Sequence, residues 1–175
     1  PFARAHQTVM NESEVAAVAE VARSRGKMMA AHARSAESVK MCLRNGVDVL
    51  YHCTLSDSKA LEMLDEQKDR IFVAPAMGIM HVTAEGEGSG YGITKDHPVA
   101  LYFRRELDKC IENMKKLKKT GVRIRPGRDY GFAWNPHGDY ARELTFFVRY
   151  VGLDPLTVIR CATKTGAEIL GRADE

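Results

Sequence analysis

Residues 27–53 read KMMAAHARSAESVKMCLRNGVDVLYHC, and this stretch decides the fold. The run 27–33 is short and apolar, which predicts a buried strand rather than a helix. Val39, Cys42 and Leu43 then recur at helical spacing, and Gly46 stops that helix. Residues 47–53 (VDVLYHC) predict a second buried strand. A strand, a crossover helix and a second strand make the unit that joins parallel neighbours.

The same alternation extends both ways from that unit. Upstream, Asn11 followed by Glu14 is a capping box that opens a helix carrying Val15, Val18, Ala19 and Ala22, which ends at Gly26. Downstream, Asp57 caps a helix with Leu61 and Leu64, and residues 71–74 (IFVA) form a third strand closed by Pro75. The glycine-containing stretch 78–92 is too long for an ordinary connection, so 76–96 reads as a functional loop or lid. Leu107, Ile111, Met114 and Leu117 mark a long helix ended by Gly121, and residues 122–125 form a fourth strand. Two helices close the pattern. One carries Leu144, Phe147, Val148 and Val151, and the other has Asp154 as its cap and Pro155 at its first position.

Four such cycles specify an α/β fold with parallel strands, organised as one domain over residues 1–175. Either a doubly wound open sheet or part of a (β/α)8 barrel accommodates them. A whole barrel takes about 250 residues, so four units are about half of one. No GxGxxG or GxxxxGK[ST] pattern follows a strand, which weakens a nucleotide-binding reading. A flavodoxin-like module would place acidic residues at the first strand end, where this chain has His32.

Composition narrows the function classes. The chain is 45% hydrophobic and 28% charged, which is the balance of a globular domain. No apolar run approaches the roughly 20 residues of a membrane span, and the first residues lack a secretory pattern. The chain opens without an initiator Met, which suggests a truncated or processed sequence. The net charge of +3 is dispersed except at Lys115, Lys116, Lys118 and Lys119, a solvated helix face rather than a nucleic-acid footprint. Cys42, Cys53, Cys110 and Cys161 form no CxxC. Three of them sit on apolar faces and read as buried thiols in a reducing compartment, hence a cytoplasmic location.

In parallel α/β folds reactive groups gather at the carboxyl ends of strands. That rule selects His32, His52 and, just beyond the fourth strand and Gly127, Asp129. Two imidazoles and a carboxylate suit a zinc-like divalent ion, and such an ion activates water for hydrolysis. A lone histidine in an apolar strand is ordinarily a core residue, and an aspartate beside glycine is ordinarily a turn residue. Their joint placement at three strand ends carries the functional reading.

These residues also carry a family resemblance. The stretch AHARSAESVKMCLRNGVDVLYHCT (31–54) resembles strands five and six of amidohydrolase-superfamily enzymes, in the imidazolonepropionase-like and prolidase-like branch. The stretch GVRIRPGRDYGFAWNPHGDYARELTFFVRYVGLDPLTVIRCATKTGAEILG (121–171) resembles the strand-eight region. The likeness runs in order from about residue 11 to 171 and implies strands five to eight of a TIM-like (β/α)8 barrel. It implies that His32 and His52 are metal ligands and that Asp129 is both ligand and catalytic proton shuttle. It implies one or two divalent ions, commonly zinc, and hydrolysis of carbon–nitrogen bonds of the non-peptide amide, lactam or related kind in a small-molecule substrate.

Several residues depart from the family's pattern. Arg128 stands where Thr or Ser is usual, and Tyr51 where Glu is common. Arg34 either binds a substrate carboxylate or is a solvated charge. Tyr130, Trp134 and His137 follow Asp129, with Tyr130 and His137 the stronger candidates for substrate contact and packing the alternative. Arg34, Arg128 and Lys95 together point to an anionic or polar ligand, and His81 is a further candidate to reach the pocket. The strand-one H-x-H pair and the strand-four lysine are absent from this chain, and His6-Gln7-Thr8 does not replace the pair. The expectation is therefore an incomplete site with little activity in isolation, and exposed sheet edges that pair with a second copy or with the remainder of a barrel. The competing expectation is a non-catalytic α/β remnant or assembly domain.

Overall fold

The computed structural model describes residues 4–127 and 129–174. Four parallel strands lie in sequence order: β1 (Ala30–Ser35), β2 (Val49–Leu55), β3 (Phe72–Ala74) and β4 (Arg123–Ile124). Ala31 pairs with Leu50, Leu50 with Val73, and Val73 with Ile124. Each strand neighbours the next one in the chain, and the order never doubles back. A doubly wound sheet needs such a reversal, so this order is that of consecutive barrel units.

Helices α1 (Glu12–Ser24) and α3 (Ser58–Glu66) begin at the expected caps Asn11 and Asp57, while α2 (Ala36–Arg44) and α5 (Pro98–Thr120) begin after Ser35 and His97, caps not read from the sequence. The Asn11 side chain accepts the Glu14 N–H at 3.0 Å, and Glu14 accepts the Asn11 N–H at 2.8 Å. Asp57 accepts from Ala60, and Asp154 accepts from Thr157 at the start of α7 (Pro155–Ala162). Each such cap contributes about 1 kcal/mol. One core is formed by Val39, Cys42 and Leu43 of α2, Leu50 and Val73 of the sheet, and Cys110, Met114 and Leu117 of α5. The remaining helices are α6 (Tyr140–Phe146), which runs into a π-helical turn Phe147–Val151, and α8 (Lys164–Ile169).

The expected loop or lid at 76–96 is corrected in its first part only, since 85–96 remain irregular apart from one short turn. Residues Met77–Ala84 form helix α4, every residue of which is buried, and Ser89–Tyr91 form a single 3₁₀ turn. Ala76, in the left-handed region at φ 54°, turns the chain from β3 straight into α4. The segment MGIMHVTA is apolar all round, so it shows no amphipathic period from which a helix could be read. It is a pillar packed against α5 and α6, not a mobile cover.

Candidate metal and catalytic site

The site draws on His32, the third residue of β1, on His52, the fourth of β2, and on Asp129, five residues beyond β4. The expected placement of the two histidines at strand ends is corrected, because both strands run on for three residues past them. By alternation along β2, His52 would share a face with Leu50, which lies in the core. Two consecutive left-handed residues, His52 at φ 74° and Cys53 at φ 52°, break that alternation. The His52 ring consequently meets His32, edge to face, with centroids 4.3 Å apart. Non-glycine residues in this conformation each cost about 1–2 kcal/mol, and such strain concentrates at functional sites.

Asp129 completes the group, its Oδ2 lying 3.6 Å from His52 Nε2. Burial, then the neighbouring His32 and Arg34, hold the His52 imidazole down to about 3, so it is neutral near pH 7. His32 is also lowered, chiefly by desolvation and then by Arg34. The His52–Asp129 contact is therefore no ion pair, and 3.6 Å is too long for a direct hydrogen bond. Two donors each about 2.1 Å from one tetrahedral ion stand roughly 3.4 Å apart, close to this spacing. The donor set fits a divalent ion in kind: two neutral imidazoles and a carboxylate. It falls short in arrangement, because among the described residues no group of three or more His, Cys, Asp or Glu, these three included, is placed to hold a metal ion. Burial pushes the Cys42 thiol up to about 11 and raises Cys53 and Cys110 further, so none offers a thiolate.

Gly127 explains how the chain after β4 reaches this group. A Cβ there would lie 2.9 Å from the Ala74 Cβ, so only glycine lets the backbone pass so close to β3. Beyond it the loop folds on itself. The Gly131 N–H donates to the Asn135 carbonyl at 3.1 Å, and the Asn135 N–H to the Phe132 carbonyl at 2.9 Å. The fully buried Asn135 side chain donates to the Asp129 carbonyl.

The other predicted residues fall into three places. Arg34 is neither open to a ligand on all sides nor a solvated charge. It is ion-paired with Glu106, a buried residue of α5 that also accepts from the Tyr102 hydroxyl at 2.9 Å. Tyr130, His137 and Tyr140 form an aromatic group beside Asp129. The Tyr130 and Tyr140 rings lie 4.5 Å apart, and Tyr140 Oη is 3.4 Å from His137 Nδ1. His81 is buried on α4 with its Nδ1 2.7 Å from the Tyr150 hydroxyl, and its ring packs on Phe146. Lys95 pairs with Glu85 at 3.2 Å on the surface. Arg128 lies outside the described residues. Sequence reading missed Glu106, Asn135 and Thr83. A glutamate among the apolar positions of α5 was the available signal for Glu106.

Comparison with known proteins now bears on this geometry. The Amidohydrolase family pattern matches residues 2–175. The chain belongs to the amidohydrolase family. Over 150 residues this family member is 27% identical to the ochratoxinase of Aspergillus niger, covering 86% of this chain and 29% of that protein. A Xaa-Pro dipeptidase solved with methionine in its active site superposes with a TM-score of 0.78 at 25% identity, over 95% of this chain and 39% of that one. A prolidase solved with N-methylphosphonate-L-proline gives a TM-score of 0.80 at 22% identity, over 98% of this chain and 40% of that one, and it supports the fold alone. The chain thus spans less than half the length of each of these relatives. These likenesses support the α/β fold with a parallel sheet of amidohydrolase barrels.

Proposed function

We propose that these four strands are strands five to eight of a metal-dependent amidohydrolase barrel, in which His32, His52 and Asp129 supply part of a divalent metal shell. The observation that carries this is the meeting of two imidazoles 4.3 Å apart with a carboxylate 3.6 Å from the buried one, drawn from β1, β2 and the loop after β4. A divalent ion, most simply zinc, would supply Lewis acidity and an activated water when bound. His32 and His52 present neutral nitrogens. Asp129, exposed on one side, takes the proton of the attacking water and passes it to the leaving nitrogen. Tyr130 and His137 border the entrance as substrate contacts, and Arg34, held by Glu106, offers its remaining face to a substrate carboxylate.

The substrate class is an amide-type carbon–nitrogen bond: a simple amide, a lactam or a related group. The relative named Xaa-Pro dipeptidase extends that class to dipeptides. The remaining ligands would come from residues outside these strands. A second reading, a folded but non-catalytic remnant or assembly domain, is favoured by the finding that no three such donors among the described residues are arranged to hold a metal ion.

A panel of Xaa-Pro dipeptides, N-acyl amino acids and lactams, offered with zinc to the polypeptide that carries these strands, tests the first reading. Turnover that falls by about 10²- to 10⁴-fold in Asp129→Asn is the expected result. Turnover unchanged in that variant would sink the assignment. The 175-residue chain alone is expected to show little turnover, and vigorous activity there would overturn the incomplete-site reading.

A further inference from the structure

We propose that Trp134 and Thr83 are positioning residues that clamp the Asp129 loop onto helix α4. The inference rests on the metal-site reading above for its consequence, though its geometry stands apart from it. Trp134 Nε1 donates to Thr83 Oγ1 at 3.0 Å. Thr83 spends its own proton on the Ile79 carbonyl at 2.7 Å, so its lone pair is aimed and available. The indole also lies against Gly88, where an added Cβ would be 3.4 Å from its ring atoms, and its centroid is 5.5 Å from that of Phe132.

The loop from Asp129 to Asn135 is thus pinned twice. Asn135 holds it from inside, through the Asp129 carbonyl and the Phe132–Asn135 bridge. Trp134 holds it from outside, onto a helix that is buried along its whole length. A third tie lies beyond the loop, where Arg142 donates to Glu87 at 2.7 Å. The carboxylate of an exposed loop residue keeps one place only if the loop has one place. This clamp supplies that constraint across 51 residues of sequence. It also makes α4 the fixed wall of the site.

Trp134 is the chain's single tryptophan, so its fluorescence reports on the clamp without labelling. The test compares wild type, Thr83→Val, Thr83→Ser and Trp134→Phe. Thr83→Val removes the acceptor at similar volume, Thr83→Ser keeps it, and Trp134→Phe keeps a ring while losing the donor. Acrylamide quenching of Trp134 is expected to rise in Thr83→Val and return to wild type in Thr83→Ser. Amide exchange at Gly131 and Asn135 is expected to quicken about fivefold or more in Thr83→Val and Trp134→Phe, the loss of one hydrogen bond. Zinc affinity, by titration calorimetry, is expected to weaken in the same two variants toward that of Asp129→Asn.

Exchange and quenching unchanged in Thr83→Val would overturn the clamp. Faster exchange with unaltered zinc affinity would overturn its positioning role. A wild-type chain that takes up no zinc would instead fail the metal-site reading, while exchange at Gly131 and Asn135 would still decide whether the clamp exists.

Discussion

At the residue scale, single atoms decide how the chain after β4 reaches the histidines. Gly127 is required because a methyl group there meets the Ala74 Cβ at 2.9 Å. Gly127→Ala is expected to destabilise the fold by about 1–3 kcal/mol in urea denaturation, the usual cost of overpacking. Pairing it with Ala74→Gly should restore part of that loss, and a double variant no better than the sum of its parts would refute the contact. Glu106→Gln removes the charge opposite a half-buried guanidinium. A loss of roughly 3 kcal/mol is expected, the lower end for a broken buried pair because Arg34 keeps some solvent contact. That His32 and His52 lie on neighbouring strands was legible in the sequence, because a short apolar run between helix signals needs only local pattern to locate. Glu106, Asn135 and Thr83 were not, because their roles depend on which helix or loop lies across from them. The left-handed backbone that turns His52 toward His32 left no trace in the letters VDVLYHC.

At the element scale, the strands emerged within a few residues of expectation, because each is an apolar run bounded by a helix stop and a cap. Helix α4 did not. A segment buried on every side carries no period, and its glycine favoured a loop. Its consequence is measurable through His81. Burial, then Arg142, lowers the His81 imidazole below its ordinary 6.5, with Arg149 acting the same way and Glu85 and Glu87 opposing. The folded state therefore refuses a proton that the unfolded chain accepts. The sign follows: His81 takes nothing from stability above about pH 6.5, and stability falls as pH drops below that value toward the lowered folded pKa. His81→Asn should show a shallower decline of urea midpoint between pH 7 and pH 5 than wild type. Equal slopes would show that His81 is not held neutral on α4.

At the scale of the whole molecule, the sheet is open on both sides. Along β1 an apolar hollow of about 350 Å³ is lined by Val9, Met10, Val18, Met29 and Ala31. Beyond β4 a second hollow, of about 410 Å³, is bordered by Arg125, Ala167 and Leu170. Val9 and Leu170 are 78% and 73% exposed, so the apolar surface continues past the sheet itself. The 175-residue chain is expected to self-associate in a concentration-dependent way, visible by size exclusion with light scattering. Leu170→Glu is expected to reduce that association, and a monomer at all concentrations would contradict it. Among the described residues no helix is long and apolar enough to cross a membrane.

The most direct measurement is titration of zinc into the metal-free 175-residue chain, wild type against His32→Ala, His52→Ala and Asp129→Asn. The account predicts one weakly held ion per chain, bound about tenfold or more weakly in each variant, with wild-type circular dichroism retained. Zinc uptake that is absent from the wild type, or equal in all four proteins, would contradict the claim that these three residues form part of a metal shell.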